Sequence, residues 1–124
     1  MPAVPDRAVA HLPQNDPGLL ILLSLAGGDK HGHALSRDIE HVAGVRLGPG
    51  TLYGAIARLE ERGLIEPLAA DGRRRPYRLT SDGLAALDEA VAALRRLAAA
   101  GDERLATATA RLRPAPGPAL GWAL

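Results

Sequence analysis

Residues 48–80 read GPGTLYGAIARLEERGLIEPLAADGRRRPYRLT, and this stretch decides the fold. Gly48-Pro49 opens a helix, with Pro at the first helical position where its missing N–H costs nothing. Leu52, Ile56 and Leu59 follow at i, i+4 and i+7 as one apolar stripe, and Gly63 is the stop. The opposite face carries Gly50, Thr51, Tyr53, Gly54, Ala57, Arg58 and Glu61. Its Gly and Ala residues keep that face low in profile. Leu64 to Ala69 reads as a strand, and Pro67 confines it to a sheet edge, since Pro cannot donate to a ladder. Asp71-Gly72 signals a turn. In Pro76–Thr80, Tyr77 and Leu79 alternate with Arg78 and Thr80. The stretch is a helix followed by a β-hairpin whose tip holds Arg73, Arg74 and Arg75.

Working outward, Asp16-Pro17 marks the N-terminus of an earlier helix that runs to about Ala26 and is apolar nearly all round. A second helix spans about Gly32 to Ala43, with Leu35, Ile39 and Val42 as its buried stripe and Gly44 as its stop. Val45 to Leu47 link it to the helix at Pro49. After the hairpin, Thr80 or Ser81 caps a helix reaching about Ala100. Its Leu84, Leu87, Val91, Leu94 and Ala98 have the a/d spacing of a helix that packs on another helix. Gly101-Asp102 should interrupt it, leaving residues 102–113 as a further helix with Leu105 and Leu112 one heptad apart. The expected organisation is a mobile arm at 1–15, a compact region at 16–80, a helical region at 81–113 and a disordered Pro-rich tail at 114–124 that contains Trp122.

Composition narrows the functions. The chain has 124 residues, a net charge of +1 and no Cys. Disulfides, thiolate metal sites and Cys nucleophiles are therefore excluded. No apolar run approaches the ~20 residues of a membrane span, and no signal peptide is visible, so a soluble cytoplasmic protein is expected. His31, His33, Asp38 and His41 cluster in sequence but match no closed ligand spacing. Ser24, Ser36 and Ser81 have no nucleophile context, and no phosphate loop is present. Neither an enzyme, nor a metal, nor a cofactor is expected. The positive excess is local: residues 71–80 hold Arg73, Arg74, Arg75 and Arg78 against Asp71 alone, a net +3, and the rest of the chain is near balance.

Helix, helix, helix, basic hairpin and long helix is the order of a winged helix-turn-helix. In such folds the third helix meets base edges in the major groove and the wing meets phosphates. Arginine suits the wing because its planar fork pairs with two phosphate oxygens. The candidate DNA-contacting residues are Gly50, Thr51, Tyr53, Gly54, Ala57 and Arg58 in the third helix, with Arg73, Arg74, Arg75 and Arg78 in the wing. Leu84, Leu87, Val91, Leu94 and Ala98 are the candidate dimer interface. A chain this small and free of Phe has a thin core, which burial between protomers would offset. The other reading of the same fold is a winged-helix module that binds a protein partner and no DNA.

Three segments resemble the PadR-like transcriptional regulators. His31-Gly32-His33-Ala34-Leu35 is similar to that family's His-Gly-Tyr-x-Ile motif, with His33 where Tyr is usual. Gly50-Thr51-Leu52-Tyr53, continued by Ala57 to Ile65, is similar to the recognition helix and its exit. Gly72 to Thr80, with Gly83, is similar to the wing and the start of the next helix. The resemblance covers about residues 17–100. It implies a homodimer held by the C-terminal helix, bound to a two-fold symmetric DNA operator. It also implies repression relieved by a small-molecule effector. Some members stack planar ligands on aromatic side chains between the dimer halves. The dimer helix here has none, so a pocket of that kind is not expected.

Overall fold

A computed structural model describes residues 15–113. The expected arm (apart from Asn15) and the Pro-rich tail with Trp122 lie outside the described residues. Helix α1 runs Pro17–Ala26, and its start follows from Asp16, whose carboxylate accepts from the Gly18 N–H at 3.0 Å and the Leu19 N–H at 3.5 Å. A short strand β1 (Lys30–His31) leads into α2 (Gly32–Ala43), which ends at the left-handed Gly44, φ 68°. Helix α3 spans Pro49–Glu61. Strands β2 (Ile65–Pro67) and β3 (Pro76–Leu79) form the wing, and α4 runs Ser81–Leu112.

The sheet is antiparallel in the order β1-β3-β2, so Pro67 does lie on an edge strand. The wing's far end is closed by two backbone hydrogen bonds between Asp71 and Arg74, of 2.8 and 3.1 Å, around Gly72 at φ 65°. Beside the hairpin read from the sequence, the structure adds a third strand. Lys30 pairs with Tyr77 and His31 with Pro76. Two residues are too few for an alternating pattern to show.

The chain forms two compact units that divide between Ala90 and Val91. In the first, α1 packs against α2, α3 and β3. Its core is aliphatic: Leu20, Ile21, Leu25, Leu35, Ile39, Leu52, Ala55, Ile56, Leu59 and Ile65 are buried. One polar contact ties three elements together. The buried Ser24 hydroxyl donates to Asp38 at 2.6 Å, and the Lys30 ammonium donates to the Ser24 carbonyl at 2.6 Å. Val42 departs from the expected stripe and is 58% exposed, because it stands in the last turn of α2 beside Leu23, which is itself exposed.

The start of α4 belongs to this first unit, and a single glycine permits it. A Cβ on Gly83 would lie 1.9 Å from the Leu64 carbonyl oxygen. Thr80 completes the corner: its N–H donates to Leu64 O at 3.1 Å and its hydroxyl donates to Gly63 O at 2.7 Å. The same hydroxyl accepts from the Gly83 N–H at 3.0 Å, the cap expected of Thr80.

In the second unit the described residues are helical to Leu112, so the expected break at Gly101 does not occur. Glycine in a helix costs about 1 kcal/mol relative to Ala. The neighbouring Ala98, Ala99, Ala100, Arg104 and Leu105 are good helix formers and outweigh that cost. Continuity puts Val91, Leu94, Ala98, Gly101, Leu105, Ala108 and Leu112 on one stripe with steps of three and four.

The corner sets a stability test. Gly83→Ala should destabilise the protein by about 2–4 kcal/mol, because backbone rather than a flexible side chain blocks the new methyl. Gly50→Ala, with open space at its Cβ, should change stability by less than about 0.5 kcal/mol. Urea unfolding of both variants checks the contrast.

Candidate nucleic-acid interface

Helix α3 is half buried by its own pattern. Leu52, Ala55, Ile56 and Leu59 face the core, which leaves Gly50, Thr51, Tyr53, Ala57, Arg58 and Glu61 exposed. Gly54 has a partner that sequence reasoning missed. The Arg58 guanidinium lies over it, with Nη1 3.5 Å from where a Cβ would be, an ordinary contact distance. A long basic side chain thus crosses the small outer face one turn on from Gly54.

The wing arginines divide into two kinds. Arg73, Arg74 and Arg75 are exposed, and none has a carboxylate within 4.0 Å among the described residues. Arg78 is committed elsewhere. It lies opposite Glu66 in the ladder and donates to its Oε1 from Nε at 2.9 Å and Nη2 at 2.6 Å. That hydrogen bond, then the Glu66 charge, raises its pKa further. The local +3 of the sequence is thus reduced at the wing base and left intact at the tip.

The two tyrosines also separate. Tyr77 is buried at 8% exposure and packs beneath the wing. Burial, above all, raises its pKa, with Glu60 and Tyr53 adding and Arg75 opposing. Tyr53 is half exposed, and its phenol crosses the start of α2: a Cβ on Gly32 would come within 2.3 Å of the Tyr53 hydroxyl. Gly32 is therefore needed where α3 and α2 cross. His31 caps α2, its Nδ1 accepting from the Ala34 N–H at 3.3 Å, and stacks on His33 with ring centroids 6.4 Å apart. The other members of the sequence cluster are dispersed, with Asp38 bound to Ser24 and His41 exposed at the far end of α2.

The candidate dimer residues fall on both sides of the division in α4. Leu84 is exposed, but Leu87 is 6% exposed within the lone chain and serves the core of the first unit. It has no surface left for a partner. Beyond Ala90, Val91 and Leu94 are half exposed and Ala98 is exposed, together with Leu97, Leu105 and Leu112. No described helix is long and apolar enough to cross a membrane.

Three helices, with α2 and α3 joined through Gly44, and a three-stranded sheet bearing a basic turn define a winged helix-turn-helix unit. The comparisons with known proteins make it specific. Residues 21–89 match the transcriptional regulator PadR-like family. The chain is similar to the transcriptional regulator Rv3488 of Mycobacterium tuberculosis, at 45% identity over 83 residues, 64% of this chain and 77% of that one. It is also similar to an uncharacterized 37.1 kDa protein in transposon TN4556 of Streptomyces fradiae, at 48% identity over 83 residues, 67% of this chain. That match covers only 24% of the longer relative. A PadR family regulator from Eggerthella lenta has a similar solved structure, with a TM-score of 0.64 at 28% identity over 81% of this chain and 87% of that one. The chain belongs to the PadR-like family, whose members are transcriptional regulators and not enzymes.

The Gly32–Tyr53 crossing generates a double-mutant test. Gly32→Ala should destabilise the unit by about 1–2 kcal/mol, and Tyr53→Ala should remove most of that cost when the two are combined. Equal costs in both backgrounds, measured by denaturant unfolding, would show that the ring is not what the methyl meets.

Proposed function

We propose that this regulator acts by binding DNA directly, as a homodimer on a two-fold symmetric operator, and represses nearby genes until an effector releases it. The observation that carries the reading is the set of unpaired guanidiniums at Arg73, Arg74 and Arg75, on the wing that follows α3. Charges held without partners retain their full attraction for phosphate and keep their hydrogen bonds free. Thr51 and Arg58, on the exposed face of α3, take the base-reading role. Gly50, Gly54 and Ala57 allow the helix to approach the groove floor. Tyr53 contributes its exposed phenol at the edge of that face. Arg78 has a lesser role than the other three, since DNA would have to draw it away from Glu66.

Dimerisation is assigned to α4 beyond Ala90. Val91, Leu94 and Ala98 continue through Gly101 and Leu105 to Leu112 as an a/d seam, which two copies would bury against each other. Leu84, exposed in the first unit, remains a candidate contact by its spacing, and Leu87 is reassigned from the seam to the core.

A gel shift with DNA from upstream of the gene, repeated in rising salt, tests the proposal. Affinity should fall steeply with salt. Arg73→Ala, Arg74→Ala and Arg75→Ala combined should flatten the log–log slope by about two to three and weaken all sequences alike. Thr51→Ala or Arg58→Ala should instead change sequence preference. Binding without salt dependence, or unaffected by the triple change, would leave the protein-partner reading. For the dimer, Leu94→Asp or Leu105→Asp should give a monomer by sedimentation that no longer binds the full operator. A monomer that still does so contradicts the seam.

A further inference from the structure

Between the wing and the start of α2 lies a pocket of about 200 Å³. Its lining includes His31 and His33, the phenols of Tyr53 and Tyr77, and all three wing arginines, Arg73 to Arg75. Among the described residues, no carboxylate lines it. Of the outward α3 residues only Tyr53 lines it, and Gly50, Thr51 and Arg58 do not, so it adjoins the base-reading face at its edge. Three guanidiniums around one cavity repel each other, and an anion placed among them relieves that repulsion. The donor set exceeds what the two oxygens of a carboxylate can use. It suits a tetrahedral group with four oxygens, which several forks and rings can approach from different sides.

The two imidazoles differ in what a second proton would cost. His31 Nδ1 already accepts from the Ala34 N–H, so protonating it removes a helix cap. His33 is exposed and, among the described residues, makes no hydrogen bond. Imidazole is the side chain that ordinarily changes charge between about pH 5 and 8. The groups that face His33 are His31 from β1, Tyr53 from α3, and Arg73, Arg74, Arg75 and Tyr77 from the wing. Arg37 stands one turn further along its own helix. The pocket's own lining is cationic or neutral; Glu60, which acts on Tyr77, and Asp71, opposite Arg74, lie outside it, so within the pocket a bound anion is the partner that a proton on His33 would meet.

We propose that this pocket is a phosphate-binding site in which His33 joins the wing arginines, so that gaining a proton on His33 tightens the grip. The phosphate is a diester of the DNA backbone or a free phosphate group. The DNA source rests on the function proposed above, and the pocket itself does not.

Two measurements on the full chain test this, with ionic strength matched between the two pH values. The first follows the binding of a mixed-sequence duplex by fluorescence anisotropy at pH 6 and pH 8. The wild type should bind about fivefold tighter at pH 6, with a salt slope steeper by about one. His33→Gln should lose that difference and match the wild type at pH 8. His33→Lys, with a fixed charge, should keep the tight binding at pH 8. The second titrates inorganic phosphate while following the histidine ring resonances, where a saturable shift of His33 at pH 6 is expected. A glutamine variant that keeps the pH difference, or a His33 resonance indifferent to phosphate, overturns the proposal. Salt-dependent DNA binding that survives either of those results leaves the DNA reading standing without this site. Phosphate binding with no DNA binding overturns the DNA reading and assigns the pocket to a free phosphate group.

Discussion

The winged unit depends on a carbonyl that leaves no room for a side chain. Leu64 ends the turn out of α3, and its oxygen points into the first turn of α4, where a Cβ at position 83 would stand 1.9 Å away. Thr80 bonds to both sides of the same corner, to Gly63 and Leu64 behind it and to Gly83 ahead. Strand β3 ends one residue before Thr80, and β2 starts one residue after Leu64. The two wing strands are therefore clamped at their base by the contact that starts α4. Where the wing tip lies relative to α3 is set there, by backbone, and not at the tip.

That clamp explains how one hairpin holds two kinds of arginine. Glu66 and Arg78 are ladder partners, so their side chains meet across the strands on the same face. The pair is exposed, and solvent screening leaves it little weight in stability. Its larger consequence is to keep one guanidinium occupied. Arg73 and Arg74 sit in the closing turn, where Asp71 is opposite Arg74, and Arg75 lies just before β3; among the described residues no carboxylate comes within 4.0 Å of these three guanidiniums. Side-chain contact, and not an acidic residue across the hairpin alone, thus separates Arg78 from the three arginines nearer the tip.

The same distinction marks what could be read from the sequence. Local chemistry was legible. Asp16-Pro17, Gly44, Gly48-Pro49 and Thr80 bound the helices where capping and turn propensities place them, and Leu52, Ile56 and Leu59 are buried as their spacing requires. Features set by long-range contact were not. Lys30-His31 becomes a strand only because β3 runs beside it. Val42 has the right spacing but stands at a helix end beside another exposed residue. Arg78 looks like its three neighbours until its opposite number is known to be Glu66. Leu87 has the period of a helix–helix seam, yet its position four residues after Gly83 draws it into the core. Gly101 has a poor helix propensity of its own, but whether a helix ends is decided by the whole run around it. Of the candidate site, α3's exposed face and the wing tip were visible, and the crossing of Tyr53 over Gly32 was not.

Beyond Ala90 the structure presents an energetic problem that its own residues do not solve. Most helical stability in proteins comes from packing an apolar face rather than from propensity. Here Leu97, Leu105 and Leu112 are 66%, 65% and 73% exposed, and the second unit contains no other described element to cover them. The first unit cannot supply a large surplus either, since its core is built from Leu, Ile and Ala with Tyr77 as its one buried aromatic residue. Burying the Val91-to-Leu112 stripe of one copy against that of another, as proposed above, would cover Leu105 and Leu112 and add apolar area to a chain with a small core. Gly101 has a place in the same argument. A glycine at a seam position lets two helix backbones approach closely, which offers a return for its propensity cost that a surface position would not.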